Sequence, residues 1–506
     1  MKFTLPDQDQ KAQRFFLCGA FAILTIWGLC YFPNLRASPG WYGDEFISLM
    51  EGNSILSGTF NNRALKYSFF STFTNYQPWG ATLYSLTARV FSSGDIVGAR
   101  GLSVLLCLIL VMLVYVEFFK RKMPWVGFCS ALTILLAPQC TIHFRWVYPH
   151  YFVSLGVVLI GLLLSRDKKE SSDDWALGVG CALAAVGHLL AVHVMAATGL
   201  SQIRRPKAWI KIILPSAILL GTALALGYWS SGSYLFLDLQ ELAGGYLGDS
   251  NRSTPLEKLV NIYRYFFTDW FHVLLFSSYF GLIFLRKWAL FTFSASLSFL
   301  IIQNRPELPI FYYQSMVFVP LLCVNLMLCL RGIGQKASGA LKSQVPNLCM
   351  QSLSLLIPLV FLFPALRNSM LGSHQPRNQY WVAPRHSDLE EAAKWVNRNT
   401  GPQDLVVAFW DVGWMLGCRW TDPMQCAIWS YGNFPYFYNR SRSHSEFIFA
   451  ANLAEARYLI VGPLDMRWLY GQGTIPILLK DFHIETWPTV FQTETTRVLA
   501  NPTFQN

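Results

Sequence analysis

Apolar runs of roughly 17–25 residues, the length a helix needs to cross a bilayer, recur along most of this chain. Few folds tolerate that pattern. In lipid every backbone amide and carbonyl needs an internal partner, so only helices and closed barrels can cross. The runs here are continuous rather than alternating, which selects helices. Composition agrees: 53% of the 506 residues are hydrophobic and 14% are charged, about half the charged share of a soluble domain. The first run, near Phe15 to Phe32, lacks a small-residue cleavage site and reads as a permanent span.

The net charge of +11 does not point to nucleic acid, because of where the basic residues fall. They cluster between the apolar runs: Lys11 and Arg14; Lys120, Arg121 and Lys122; Arg166, Lys168 and Lys169; Arg204, Arg205 and Lys207; Arg286 and Lys287; Arg331, Lys336 and Lys342. The positive-inside rule puts such clusters on the cytoplasmic side, and all six fit there only with about eleven spans. The spans run near 15–33, 99–119, 124–140, 150–165, 174–187, 189–203, 208–229, 266–285, 288–303, 310–330 and 347–366. The fifth and sixth are half-spans with a break near Gly187 and His188, a device with precedent at functional cavities. One long tilted helix is the alternative; it would leave the Arg204 cluster outside.

Four outer segments follow. Residues 34–98 hold Asp44 and Glu45, and an amphipathic piece near Pro78 to Phe91 is expected along the interface. Residues 141–149 hold His143 and Arg145; the others are 230–265 and the turn from Asn304 to Pro309. The expected division is a membrane-embedded domain over 1–366 and an extracytoplasmic α/β domain over 367–506. In the latter, Ser387 to Glu390 reads as a capping box opening a helix through about Asn399, stopped by Gly401-Pro402. Leu405 to Phe409 and Tyr458 to Val461 read as buried strands. The aromatic run from Trp410 through Tyr438 fits either sugar or lipid contact or ordinary interface packing. Cys418 and Cys426 flank a Pro-containing loop where a disulfide can form. The other nine cysteines lie in or beside apolar runs as small hydrophobes. There is no P-loop, dinucleotide fingerprint or zinc spacing.

Asp44 and Glu45 sit in Gly-Trp-Tyr-Gly-Asp-Glu, just beyond the first span. Desolvating acids beside lipid is costly, so acids placed there usually have a function. The outer face lacks free nucleotides, so an enzyme there needs an activated donor that partitions into the membrane. A polyprenyl-phosphate sugar fits. Its phosphate leaves readily, and what remains is a base for the acceptor hydroxyl and cations for the phosphate. Asp44 is the candidate base, with Glu45 beside it. Arg63, Lys66, Arg100, Arg145 and Arg305 are the candidate phosphate cations. Tyr148, His150, His188 and His193 share the outward level. The bland readings are an N-cap for Asp44, a snorkelling or acid-paired Arg100, and satisfied core histidines.

The order of motifs resembles the GT-C glycosyltransferases of the protein O-mannosyltransferase and lipid A aminoarabinose transferase type. The resemblance rests on Gly43-Asp44-Glu45-Phe46 with a helix ending in Leu56-Ser57-Gly58, then Gln77-Pro78-Trp79-Gly80. Next come Gly98-Ala99-Arg100-Gly101-Leu102-Ser103 and the run Phe144-Arg145-Trp146-Val147-Tyr148-Pro149-His150. It implies a polytopic helical membrane protein with Asp44 at the reaction centre. It also implies basic residues on the donor phosphate and an inverting single displacement. Many relatives have Asp where this chain has His150, which argues against a two-acid metal site. The expected partners are a polyprenyl-phosphate-linked sugar, membrane lipids, and a protein, lipid or glycan acceptor, with no nucleic acid. No cofactor is expected, and the expected location is a cell inner (plasma) membrane. A lipid-linked sugar carrier or flippase, and an oligosaccharide ligase or polymerase, are the alternatives. A carrier exposes functional charge to both faces, often through related halves; here the candidates gather on one face.

Overall fold

The computed structural model describes residues 10–58, 64–65, 77–167, 172–247, 255–302, 312–374, 382–383, 385–433, 441–465 and 480–504. Arg63, Lys66 and Arg305 lie outside these residues, as do the turn at 304–309 and Phe434, Tyr436, Phe437 and Tyr438 of the aromatic run.

The helical body opens with α1 (Gln10–Tyr31), a short β1 (Trp41–Tyr42), α2 (Gly43–Leu56), α3 (Pro78–Ser92) and α4 (Ile96–Lys120). It continues with α5 (Pro124–Leu136), α6 (Pro138–His143), α7 (His150–Leu164), α8 (Asp173–Gly187) and α9 (Ala191–Ser201). Then come α10 (Trp209–Ser231), α11 (Tyr234–Leu247), α12 (Pro255–Phe266), α13 (Trp270–Phe284) and α14 (Trp288–Ile301). A one-turn α15 (Tyr312–Ser315), α16 (Val319–Leu341) and α17 (Val345–Leu371) complete it. Local chemistry sets the starts. Proline occupies the first turn of α3 and α5, where its missing N–H costs nothing. Asp95 caps α4 by accepting from Val97 N at 3.0 Å.

This is a multi-pass helical membrane protein. Ala12–Tyr31, Ile96–Lys120, Pro206–Ser230 and Val345–Leu371 are each long and apolar enough to cross a bilayer. The pair Leu256–Phe266 and Trp270–Phe284 passes together but is bent by 119°. The apolar helices α5, α7, α9 and α14 are shorter, so among the described residues four helices, or five spans counting the bent pair, meet that length and composition.

The break expected near Gly187 is present: α8 ends there, His188 is extended, and α9 starts at Ala191. Its cause is close backbone packing. A side-chain carbon on Gly187 would stand 2.1 Å from the Pro149 carbonyl oxygen, so only glycine fits. Gln77 N donates to Gly187 O at 3.1 Å, which brings the start of α3 to the same junction.

The C-terminal domain contains β2 (Val382–Ala383), α18 (His386–Asn399), β3 (Leu405–Val407), α19 (Trp410–Gly413), β4 (Arg419–Thr421), α20 (Pro423–Tyr431), β5 (Ala456–Val461), β6 (Thr489–Gln492) and β7 (Arg497–Ala500). Strand order is β4-β3-β5-β7-β6. β3 runs parallel to β4 and β5, and β7 is antiparallel to β5 and β6. Two local expectations need correction. α18 reaches Asn399 but starts at His386, without a side-chain cap from Arg385. Ser387 and Glu390 form no box, because Glu390 Oε1 accepts from Arg36 Nη2 at 2.8 Å, a charge-assisted bond that outcompetes a local amide. Cys418 and Cys426 are both free and buried.

Body and domain are joined at several places. β1 pairs antiparallel with β2, Trp41 opposite Ala383. Gln425 Oε1 accepts from Ala64 N at 3.0 Å and Leu65 N at 3.3 Å, and Ile448 N donates to Ala64 O at 2.8 Å. Arg442 of the domain pairs with Asp238 of α11 at 3.1 Å, both side chains buried.

Candidate active site

The first turn of α2 carries Asp44 and Glu45 in different surroundings. Glu45 is fully buried and held by a two-pronged pair with Arg100 of α4: Nε to Oε1 at 2.9 Å and Nη2 to Oε2 at 2.7 Å. Val147 N donates to the same Oε1 at 2.8 Å. Arg100 spends its other donors on the carbonyls of Leu35 at 2.7 Å and Gly40 at 2.7 Å. Gly40, at φ 77, makes the turn that aims its carbonyl inward, where Trp146 Nε1 also donates to it at 3.0 Å. So the three separate motifs around residues 45, 100 and 147 form one knot. Arg100 is a scaffold for the acidic turn, with its fork saturated by protein.

Arg145 is likewise committed. Its guanidinium donates to the carbonyls of Cys30, Tyr31, Pro33 and Ser38 at 2.5–3.1 Å, closing off the C-terminal end of α1. A cation at that end also meets the negative pole of the helix.

Asp44 differs from both. It is partly exposed and accepts no hydrogen bond from any described residue. Burial first, and then the Glu45 charge, raise its pKa to about 7. The corner on which it stands is set by the C-terminal domain. A side-chain carbon on Gly43 would lie 3.2 Å from Leu464 Cδ1, 3.8 Å from Phe409 and 4.0 Å from Trp410. The helix therefore starts flush against the loops that leave β5 and β3.

Tyr148 and His150 follow the knot directly. Tyr148 is buried, with its carbonyl accepting from Tyr84 at 3.0 Å. The ring of His150 lies 4.2 Å from that of His188, across the junction of α7 with the α8–α9 break. His188 Nδ1 accepts from Leu190 N at 3.0 Å, just before α9. His193 stands within the first turn of α9.

No protein-family profile and no curated protein matches this chain. Solved structures do. The apo structure of ArnT from Cupriavidus metallidurans superposes with a TM-score of 0.57 at 12% identity, over 97% of this chain and 98% of that one. The same ArnT bound to undecaprenyl phosphate gives the same values. The archaeal oligosaccharyltransferase AglB from Archaeoglobus fulgidus, with an inhibitory peptide and a dolichol-phosphate, gives 0.56 at 13% identity, over 98% of this chain and 75% of that one. This chain has the GT-C fold.

Within that GT-C fold, several groups escaped sequence reasoning. Ser48 and Glu51 follow Asp44 at helical spacing, so they share its face of α2, and both are buried. That spacing was the available signal. Lys258 is half-buried, with Nζ 4.3 Å over the ring of Phe299. Asp411, buried just after β3, sits beside the Phe409 and Trp410 that touch Gly43. An acid directly after a short apolar strand was its only trace.

Proposed function

We propose that this protein is an integral-membrane glycosyltransferase that moves a sugar from a polyprenyl-phosphate donor to an acceptor hydroxyl, with Asp44 as the base. The contrast inside the first turn of α2 carries the reading. Glu45 has both oxygens bound, while Asp44 is accessible and has a carboxyl poised near neutrality. A base works best when its pKa lies near the working pH. Glu45 acts through position: with Arg100 it fixes the turn that presents Asp44. Arg145 fixes the end of α1 in the same way. Phosphate binding then falls to other cations: Lys258, among the described residues, and Arg63, Lys66 and Arg305, which lie outside them. Tyr148, His150, His188 and His193 line the adjoining junction.

In this reading one base and a phosphate leaving group give a direct displacement that inverts the anomeric centre, with no metal in the transfer step. A retaining route normally uses a second carboxylate as nucleophile, and Glu45 is engaged elsewhere. The basic clusters of the sequence support a C-terminal domain outside the cytoplasm. The deciding experiment is transfer from a lipid-phosphate monosaccharide by purified protein, with product configuration read by NMR. Retention, or turnover that survives Asp44→Asn, would remove the mechanism.

A further inference from the structure

At the carboxyl edge of the parallel strands, three side chains leave four buried oxygens without a hydrogen-bond partner. They are both oxygens of Asp411, Oδ1 of Asp465 and Oγ1 of Thr496. Asp411 and Asp465 are 0% exposed and Thr496 is 1% exposed. The three come from separate segments: α19 after β3, the turn after β5, and the residue before β7. Strand β7 lies against β5 with Val461 opposite Arg497, which brings Thr496 alongside Gly462. The position a side-chain carbon would take on Gly462 is 3.1 Å from Leu389 Cδ2, 3.4 Å from Asp465 Oδ2 and 3.9 Å from Thr496 Oγ1, so the Asp465 carboxylate and the Thr496 hydroxyl approach the same glycine. Asp465 Oδ2 is held by Gly462 N at 2.8 Å, which leaves Oδ1 open. The segments that carry Asp411 and Asp465 meet at Gly43, where Phe409, Trp410 and Leu464 all lie within 4.0 Å of the position its side-chain carbon would take.

Among the described residues no Lys, Arg or His pairs with either acid, and only the backbone dipoles of Asp411 and Val412 assist Asp411. The third acid nearby, Asp422, is occupied in accepting from Met424 N, Gln425 N and Trp410 Nε1. Each uncompensated buried charge costs several kcal/mol. Buried charges are paired or coordinate metals. The open donors here are all oxygens, the set that suits a hard divalent cation.

We propose that Asp411, Asp465 and Thr496 form a divalent-cation site of the calcium or magnesium type within the C-terminal domain. The ion would tie the loop leaving β3 to the turn leaving β5. Those segments carry Phe409, Trp410 and Leu464, which meet Gly43, so the ion sets where Asp44 stands without taking part in transfer. Any divalent requirement of the protein then arises from architecture.

The test uses full-length protein in detergent, stripped with chelator and desalted. Calcium and magnesium are titrated against the thermal midpoint. Terbium serves as a luminescent probe excited through tryptophan, Trp410 being adjacent in sequence to Asp411. The site predicts saturable stabilisation, and terbium emission that calcium displaces. Asp465→Asn and Asp411→Asn should abolish both, while Asp44→Asn leaves both intact. Thr496→Val keeps both carboxylates and should weaken apparent affinity roughly tenfold, the scale of a lost supporting ligand, so the question stays answerable if an Asn variant fails to fold. No cation response in the wild type, or a response that survives Asp465→Asn, would overturn the site. So would stabilisation by acid alone, which would mean that the two carboxyls hold protons. None of these readouts depends on sugar transfer, so the cation site and the transferase reading can fail separately.

Discussion

Two corners of this molecule bury carboxylates and treat them in opposite ways. At the head of α2, Glu45 meets Arg100 through both oxygens and takes a further bond from Val147 N, while Arg145 nearby is saturated by carbonyls. At the carboxyl edge of the sheet, Asp411 has no side-chain partner at either oxygen and Asp465 lacks one at Oδ1. Glu45, Arg100, Asp411 and Asp465 are all fully buried. A polar network with every donor and acceptor matched rigidifies what it touches, whereas an unmatched one is costly unless something else completes it. The comparison separates matched from unmatched groups better than charge does, and it is the contrast on which the proposed role of the partly exposed Asp44 rests.

The sharpest way to break that assignment is Asp44→Asn. Transfer should fall about a hundredfold to ten-thousandfold, the usual cost of losing a general base, with folding and membrane insertion retained. Turnover by purified variant and wild type decides it.

Next in size is Arg100→Ala. Removing one partner of a buried ion pair leaves an uncompensated charge and should cost about 3–5 kcal/mol. Thermal unfolding and yield should both drop, and residual donor affinity per folded molecule should hold. A stable variant with selectively weakened donor binding would instead return Arg100 to the phosphate, as the sequence alone had suggested.

The pH profile sharpens the contrast between Asp44 and Glu45. Asp44 must be ionised to act, and its carboxyl has been raised from an ordinary value of 3.8 to about 7. kcat/KM should climb about tenfold per pH unit below that point and level off above it. The stability contribution runs the other way. For a raised carboxyl it is fully present below the ordinary value and lost as pH rises through about 7, so stability and activity should move in opposite directions. Asp44→Asn should flatten the stability part. A rate profile flat from pH 5 to 8 would argue against this base.

The smallest effect is expected at Lys258→Ala. Losing one cation from a lipid phosphate should raise donor KM roughly tenfold with kcat little changed. An unchanged donor KM would leave Lys258 as a packing contact over Phe299.

Much of the helical frame was legible in the sequence. Pro78 opening α3, the break after Gly187, and a helix ending at Asn399 all follow from local rules about proline, glycine and helix ends. The failures share a cause. Glu390 looked like a capping residue, but its partner is Arg36, 354 positions away. Arg100 could be read as a phosphate ligand or as the partner of an acid, and it pairs with Glu45; Arg145 looked like a phosphate ligand, since a sequence does not show how many carbonyls will surround a guanidinium. Asp411 was passed over among its aromatic neighbours, because being unmatched is a property of packing and has no local signature.

The pairing of β1 with β2, and of residues 64–65 with Gln425 and Ile448, has a consequence for how the protein is made. Asp44 leaves the ribosome early, yet the surfaces that hold it come from the last part of the chain. The first inter-helix segment must wait, beside a nearly complete helical body, for the tail to arrive on the same side of the membrane. A prematurely terminated product therefore lacks the contacts that Phe409, Trp410 and Leu464 make at Gly43, beside Asp44.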